Sequence, residues 1–316
     1  MRKNLSIIIA TYNRAKILQR VLDGLLQQKG VPAEDYEILI VDNNSTDSTA
    51  ELITLYGPQF KCVFRYLFQP EKGKSCALNM AVKGAHGVNL AFTDDDVILT
   101  DDWVKNIFQF VKDHQFDAAG GRVLPEYPEN TPKWVVKNRD LLNGPIVVHD
   151  YGIDVKPYNK EMLPFLGANM LIKSKMFDDL GGFREDLGPG KMAGAEDTEF
   201  FRRMERSGRR ILYCGNILIR HPVDPKRMSL GYLAKWNMDN GRYIALNGKG
   251  LMEKKIVCLA KIPRYLFRVM ARRAFGLMAS FKQGDFLENW CELFKVLGMM
   301  KEYRRYGRTG KKAGDG

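Results

Sequence analysis

The chain has 316 residues, 45% of them apolar and 27% charged, and a formal net charge of +12 that falls mostly after about residue 200. This composition is typical of a globular protein with a full core, and five cysteines without a Cys-x-x-Cys pair argue against a disulfide framework or a structural zinc site. No signal peptide precedes the first strand and no apolar run approaches the ~20 residues of a spanning helix, so we expect a cytoplasmic protein.

In the first half of the chain, short apolar runs typical of strands alternate with segments that have the 3.6-residue apolar period of helices. Strands are predicted over 5–10, 36–41, 62–68 and 88–92, and helices over 15–28, from about 48, over 75–84 and over 102–114. Nearly continuous apolar strands that alternate with helices predict a mostly parallel sheet with helices on both faces.

The second half is less regular. Residues 118–165 are rich in proline and predict irregular structure with short strands. Beyond them we predict a strand over 169–172, a helix over 175–180, a helix that begins near Glu196, and strands over 210–214 and 217–221. We place the boundary of this α/β domain at residue 225 and assign 226–316 to a basic, helical C-terminal region.

Polar loops follow three of the predicted strands. They are Thr11–Arg14, Asp42–Asp47 and Asp94–Asp96. Ligands of open α/β sheets bind outside the carboxyl ends of the strands, so we expect these loops to form one site.

Two groups of acids are candidates for chemistry. Asp94, Asp95 and Asp96 are consecutive, and such a cluster suits a divalent cation held together with substrate phosphates, although capping of the next helix is an alternative. Glu196 and Asp197 open a predicted helix. They can act as caps that favour the helix dipole, or one of them can act as a general base.

Four motifs occur in a fixed order: Ala10-Thr-Tyr-Asn-Arg14, Val41-Asp-Asn-Asn-Ser-Thr-Asp47, Asp94–Asp96 and Glu196-Asp197. Together they resemble glycosyltransferase family 2, whose members have the GT-A fold, a nucleotide-diphospho-sugar transferase-like α/β architecture. Lesser matches lie at 73–79, 165–169 and 180–185, and the resemblance covers roughly residues 4–225. Asn43 departs from it, since many relatives have a second aspartate there.

The resemblance implies a metal-dependent, inverting transfer of a sugar from a nucleotide-diphosphate sugar, a UDP-sugar by preference, to a hydroxyl acceptor. It implies Mn²⁺ or Mg²⁺ as cofactor and a glycan or lipid-linked acceptor in cell-surface polysaccharide or glycolipid synthesis. The roles that it assigns are donor binding by Thr11, Tyr12, Asn13, Arg14, Asp42, Lys74, Asp94 and Asp95, metal binding by Asp96 and His221, acceptor contact by Asn169 and Glu196, and base catalysis by Asp197.

The C-terminal region has a second, independent pattern. Lys261, Arg264, Arg268 and Arg272 recur at helical spacing. The apolar residues expected on the opposite side are Leu266, Phe267, Met270, Ala274, Leu277, Met278 and Phe281. The basic side is either a solvated face of a packed helix or a contact with an anionic membrane surface, with the protein on the inner face of the membrane. A basic tail follows: Lys301, Arg304, Arg305, Arg308, Lys311 and Lys312.

Other functions would be expected to show different sequence features. A nucleotidyltransferase is expected to have a glycine-rich basic loop after the first strand, where this chain has Thr11–Arg14. No nucleic-acid-binding motif is visible, and we expect no nucleic-acid partner. The main alternative is a membrane-docked protein that binds a nucleotide sugar, or another partner, without catalysis.

Overall fold

The computed structural model describes residues 3–188, 196–247 and 258–309. The chain divides into two compact units, Met1–Tyr127 with Val147–Val223, and Pro128–Ile146 with Asp224–Gly316. Gly194 and Ala195, which precede the predicted Glu196 helix, and Lys311 and Lys312 of the basic tail lie outside the described residues.

The first half of the chain has the predicted alternation of strands and helices. Its elements are β1 (Lys3–Thr11), α1 (Ala15–Leu26), β2 (Tyr36–Asp42), α2 (Thr49–Tyr56), β3 (Val63–Phe68), α3 (Lys74–Gly84) and β4 (Gly87–Asp94). Strand and helix ends fall within two residues of the predicted positions. The strands lie side by side in the order β3-β2-β1-β4, and all are parallel.

The remaining elements extend this sheet and form the second unit. In chain order they are β5 (Ile98–Leu99), α4 (Trp103–Asp113), β6 (Ala118–Glu126), α5 (Lys133–Lys137), α6 (Arg139–Leu142), β7 (Val155–Pro157), β8 (Asn169–Lys173), α7 (Lys175–Leu180), α8 (Glu196–Arg206), β9 (Ile211–Pro222), α9 (Leu230–Asn247), β10 (Cys258–Leu259), β11 (Ile262–Pro263), α10 (Arg264–Ala279) and α11 (Gln283–Thr309).

Beyond β4 the sheet contains strands of both directions. It continues β4-β8-β6-β9-β5, and β7 also pairs with β9. Strand β8 is antiparallel to both β4 and β6, while β6 and β9 are parallel. Strands β5 and β7 are antiparallel to β9. An antiparallel pairing needs no helical crossover, so the alternation of strands and helices predicts only the first four strands.

Two strand predictions were wrong in detail. Residues 118–126, for which we expected irregular structure with short strands, form the nine-residue strand β6. Its Gly120, Gly121 and Pro125 lower strand propensity and hide it in the sequence. The two strands predicted over 210–214 and 217–221 are one strand, β9, whose register with β6 shifts between Gly121 and Arg122.

Apolar side chains cover both faces of the parallel half of the sheet. In β1, Ile7 and Ile9 belong to one core cluster and Ile8 to the other. The side of Ile7 and Ile9 is packed by helices such as α1 and α4, and the side of Ile8 by α3, α7 and α8. Burial on both faces explains the nearly continuous apolar runs in the middle of β1 and β2.

The second unit is mainly helical. Helix α11 packs closely against α9, because Gly241 and Gly298 have no side chain and allow the two backbones to come into contact. A Cβ added at Gly298 would lie 2.0 Å from the carbonyl oxygen of Met238. Within the described residues, no helix is long and apolar enough to cross a membrane.

Candidate active site

The loops after β1, β2 and β4 meet at one edge of the sheet, as predicted. The Thr11 hydroxyl donates to Asp95 Oδ2 at 2.7 Å, which joins the first and third loops. The backbone N–H of Asn13 donates to Ser45 Oγ at 2.9 Å, and Asn13 Oδ1 accepts from the Thr46 N–H at 2.7 Å. Asn13 has a φ of 52°, a left-handed conformation that asparagine tolerates better than most residues.

Asp95 is the interior member of the acidic triplet. It is buried, and it accepts hydrogen bonds from Thr11 and from Arg14 Nη1, the latter at 2.8 Å. Burial raises the pKa of Asp95, and the Arg14 guanidinium opposes that rise. Asp95 and Thr11 therefore hold the loops after β1 and β4 together from the buried side of the site. We had expected both of them to face the donor.

Asp96 and His221 form the candidate metal pair. Asp96 Oδ2 accepts from Arg14 Nη1 at 3.0 Å, whereas its Oδ1 is buried and has no hydrogen-bond partner among the described residues. His221 Nε2, on the buried side chain from β9, lies 3.5 Å from that oxygen. An orphaned carboxylate oxygen beside an imidazole fits a divalent cation whose other ligands are phosphate and water oxygens.

Lys74, the first residue of α3, neutralises acids from two different elements. Its Nζ donates to Asp94 Oδ1 at 2.6 Å and lies 3.7 Å from Glu196 Oε1. Burial lowers the pKa of Lys74, but the carboxylates of Asp94 and Glu196 outweigh it and hold that pKa above its usual value. Burial likewise acts against ionisation of Asp94, yet Lys74 keeps the pKa of Asp94 below its usual range. Lys74 is therefore a fixed cation at the centre of the site.

Glu196 and Asp197 begin α8 and differ in environment. Glu196 is buried, and its Oε2 has no hydrogen-bond partner in the described part of the chain. Burial raises the pKa of Glu196, with Lys74 opposing the rise. Asp197 is only half-buried, and its Oδ2 accepts from the backbone N–H of Gly167 at 2.7 Å. Of the two acids, Asp197 is the one that is both oriented and accessible.

The Gly167 N–H contacts a candidate site residue, Asp197, and no sequence pattern indicated this hydrogen bond. A Cβ added at Gly167 would lie 3.3 Å from Asp197 Oδ2 and 3.6 Å from Lys74 Nζ. Gly167 lies within the 165–169 match described above, and this dense contact explains why a small residue occurs there.

The end of β2 carries the candidate base-binding residues. Asp42 is buried, and its two oxygens accept from the Ser45 N–H at 2.9 Å and the Tyr66 hydroxyl at 3.1 Å. Burial together with Asp42 raises the pKa of Tyr66 to about 12. Tyr12 is 42% exposed, and its hydroxyl accepts from Lys72 Nζ at 3.1 Å. Tyr66 and Lys72 were not predicted, because their contacts with Asp42 and Tyr12 join residues far apart in sequence and form no motif.

Asn43, the departure from the family pattern, has a structural role. Its Oδ1 accepts from the Gly73 N–H at 2.7 Å, and its Nδ2 donates to the Glu71 carbonyl at 2.7 Å. An aspartate could not make the second contact, because it has no N–H to donate. Asn43 thus holds the loop that positions Lys74.

Asn169 belongs to the scaffold, which corrects the expectation that it contacts the acceptor. Its buried amide donates to the carbonyl oxygens of Arg122 at 3.0 Å and Ile217 at 2.8 Å, and accepts from Trp103 Nε1 at 3.1 Å. It fills the place where β6 and β9 shift register. A Cβ added at Gly121 would lie 2.2 Å from Asn169 Nδ2, so the fit is tight.

We expect Asn169→Ala to lower the free energy of unfolding by about 3 kcal/mol, because two buried carbonyls and an indole N–H lose their partners. Urea denaturation followed by fluorescence measures the change. Asn106→Ala is the matched control, because the Asn106 amide donates to the Asn216 carbonyl near the surface, where water can replace it. Equal losses in the two variants would contradict the scaffold role of Asn169.

Comparison with known proteins identifies the family. The family model described as "Glycosyl transferase family 2" matches residues 6–181. The chain is 23% identical to the glycosyltransferase AglE of Haloferax volcanii over 300 residues, covering 90% of this chain and 91% of the relative. It is 26% identical to the succinoglycan biosynthesis protein ExoM of Rhizobium meliloti over 262 residues, covering 81% and 80%.

Solved structures share the fold. The mannosyltransferase PcManGT from Pyrobaculum calidifontis, in complex with GDP-Man and Mn²⁺, matches with a TM-score of 0.57 at 19% identity, over 99% of this chain and 77% of that one. TarS 1–349 of S. aureus, in complex with UDP-GlcNAc, matches with a TM-score of 0.55 at 18% identity, over 98% and 93%. The predicted α/β fold of the GT-A kind is thereby confirmed, and the chain belongs to glycosyltransferase family 2 and is a glycosyltransferase.

Proposed function

We propose that this glycosyltransferase moves a sugar from a nucleoside-diphosphate sugar to a hydroxyl group, with inversion at the anomeric carbon and with Mn²⁺ or Mg²⁺. The observation that carries the proposal is the buried Oδ1 of Asp96, which has no hydrogen-bond partner among the described residues and lies 3.5 Å from His221 Nε2. A buried carboxylate oxygen without a partner is costly, so its persistence beside an imidazole favours a bound cation. The structures of PcManGT with GDP-Man and Mn²⁺ and of TarS with UDP-GlcNAc support the same kind of donor.

Asp96 and His221 would hold the ion, and Arg14 would keep the Asp96 carboxylate in place through its hydrogen bond to Oδ2. When bound, the ion would offset the charge that develops on the departing nucleoside diphosphate. Lys74 would add a permanent positive charge on the same side, since its flanking carboxylates keep it protonated. Asp94 would contact the donor's ribose or diphosphate from its position beside Lys74.

Asp197 would act as the general base. The acceptor's O–H bond breaks with the proton going to Asp197, while the oxygen forms a bond to the anomeric carbon and the bond to the diphosphate breaks. The Gly167 N–H donates to Oδ2 of Asp197 and so fixes the orientation of that carboxylate. A single displacement of this kind inverts the anomeric centre. The buried Glu196 would lie next to the acceptor and help to hold Lys74.

The base of the nucleotide would lie at the ends of β1 and β2. Thr11 and Asp42 are register partners there, so the exposed ring of Tyr12 follows directly on the strand end that faces Asp42. A carboxylate has about four acceptor positions, and Asp42 uses two of them within the protein, which leaves capacity for a base N–H. Asn13 would shape the rim through its contacts with the 45–46 loop.

The acceptor would be a glycan or a lipid-linked glycan of a cell-surface polymer or glycolipid. Relatives named for succinoglycan biosynthesis and for transfer to poly(ribitol phosphate) support this class. The preferred donor would be a UDP-sugar.

The first test is nucleotide release from a panel of UDP-, GDP- and dTDP-sugars, measured with Mn²⁺, with Mg²⁺ and with EDTA. We expect release from one donor in the presence of a divalent ion, and none with EDTA. Equal release in EDTA would contradict the metal requirement. No release from any donor, together with no metal-dependent nucleotide binding, would contradict the proposed reaction.

A further inference from the structure

Helix α10 has one face packed and one face exposed. Leu266, on the packed face, shares a small core with Ile262, Val296 and Tyr303. The exposed face, called the α10 face below, consists of Arg264, Tyr265, Arg268, Arg272, Phe275 and Met278, together with Phe281 just beyond the helix end. The sequence pattern had predicted basic and apolar residues on opposite sides. That was wrong for Met278 and Phe281, because the residues of α11 cover only the side around Leu266.

The charge of the α10 face is positive throughout. Arg264, Arg268 and Arg272 are exposed, and among the described residues none of them has an ion-pair partner. Arg273, on the packed side of the same helix, is instead bound to Glu288 at 3.0 Å. The face contains no aspartate or glutamate, so it is complementary to a surface of negative charge.

The face also exposes large apolar side chains. Phe275 is 67% exposed, Met278 is 80% exposed, and Phe281 is exposed in full. Phe275 and Met278 are three residues apart and therefore neighbours on the helix surface. A group of exposed apolar side chains next to unpaired arginines is typical of an interaction surface rather than of a solvated one.

We propose that the α10 face docks on the surface of an anionic lipid bilayer. The helix would lie parallel to the membrane, with Phe275, Met278 and Phe281 at the boundary between headgroups and acyl chains. The arginines would extend their side chains toward the lipid phosphates. A second copy of the chain fits less well, because a two-fold contact of this face would set arginines against arginines. The proposal is independent of the sugar-transfer reaction.

The test is co-sedimentation of the full chain with vesicles of phosphatidylcholine alone and of phosphatidylcholine mixed with phosphatidylglycerol. We expect binding to the mixed vesicles only. Arg264→Ser/Arg268→Ser/Arg272→Ser should weaken that binding about 100-fold, since each basic residue near the surface contributes about fivefold. Phe275→Ser/Met278→Ser/Phe281→Ser should weaken it about tenfold or more, because apolar insertion is lost.

The matched control removes three charges elsewhere. Arg20→Ser/Lys105→Ser/Lys112→Ser changes exposed side chains on α1 and α4 and lowers the net charge from +12 to +9, as the triple-arginine change does. We expect this control to bind the mixed vesicles like the native chain. Far-ultraviolet circular dichroism and the midpoint of thermal unfolding, measured on every variant, show whether the fold is intact and keep this test separate from that of the reaction.

Three outcomes would overturn the proposal. One is failure of the native chain to bind the mixed vesicles. Another is native-like binding by either variant of the α10 face. The third is tighter binding to a single-stranded oligonucleotide than to the mixed vesicles, lost in both face variants, which would assign the surface to nucleic acid.

Discussion

Asp197→Asn is expected to lower the rate of sugar transfer about a thousandfold, the usual contribution of a positioned general base. The amide has the size of the carboxylate and can still accept from the Gly167 N–H, so the geometry of the site is retained. It cannot take a proton from the acceptor. Initial rates with the donor identified by the panel measure the loss, and calorimetry checks that donor affinity stays within about threefold.

The control for this prediction is Asp113→Asn, which removes an exposed acid at the end of α4. We expect Asp113→Asn to have the native rate. A rate for Asp197→Asn within about tenfold of native would mean that another group takes the proton. Glu196 is the next candidate in that case, because its Oε2 is unpartnered among the described side chains.

Asp96→Asn is expected to abolish the response of the rate to Mn²⁺ and to lower the rate at saturating donor about a thousandfold. Asparagine can still accept from Arg14, but it offers a neutral oxygen where a carboxylate is the preferred ligand. The rate is titrated against Mn²⁺, and Mn²⁺ binding is measured directly in the presence of nucleotide. Together the two measurements distinguish a variant that no longer binds the ion from one that no longer folds.

His221→Ala and Asp101→Asn complete the design. His221→Ala should raise the Mn²⁺ concentration needed for half-maximal rate, because one of two protein ligands is gone. Asp101→Asn changes an exposed acid five residues beyond Asp96 and should leave the Mn²⁺ response as it is. If His221→Ala leaves the Mn²⁺ midpoint unchanged, the imidazole only supports the Asp96 carboxylate.

The sequence allowed prediction of the first half of the fold and the meeting of the loops. Strands β1, β2 and β4 end in polar residues, and parallel strands must bring those ends to one edge. The same argument could not show which acids face a ligand. Asp95 and Asp96 are neighbours in the chain, yet both oxygens of Asp95 accept hydrogen bonds, from Thr11 and Arg14. Asp96 instead directs toward His221 an oxygen that accepts no hydrogen bond from the described residues.

The remaining errors have a common cause, which is that packing partners distant in sequence decide the role of a residue. Asn169 lies in a stretch that resembles the family, but Trp103 and two carbonyls of neighbouring strands occupy its amide. In α10, the helical period correctly set Leu266 apart from the arginines, but Met278 and Phe281 lie on the exposed side with them. Which face would be covered depended on α11, and that partner was not visible in the periodicity.

The contact between Gly121 and Asn169 also bears on how this sequence can change over evolutionary time. Any side chain at position 121 would collide with the amide of Asn169, whose three hydrogen bonds join β6, β9 and α4. A larger residue at 121 requires a smaller one at 169, and a smaller one at 169 leaves the bonds unmade. Neither step is acceptable alone, so the two positions are expected to vary together or to stay fixed, even in lineages whose donors and acceptors differ.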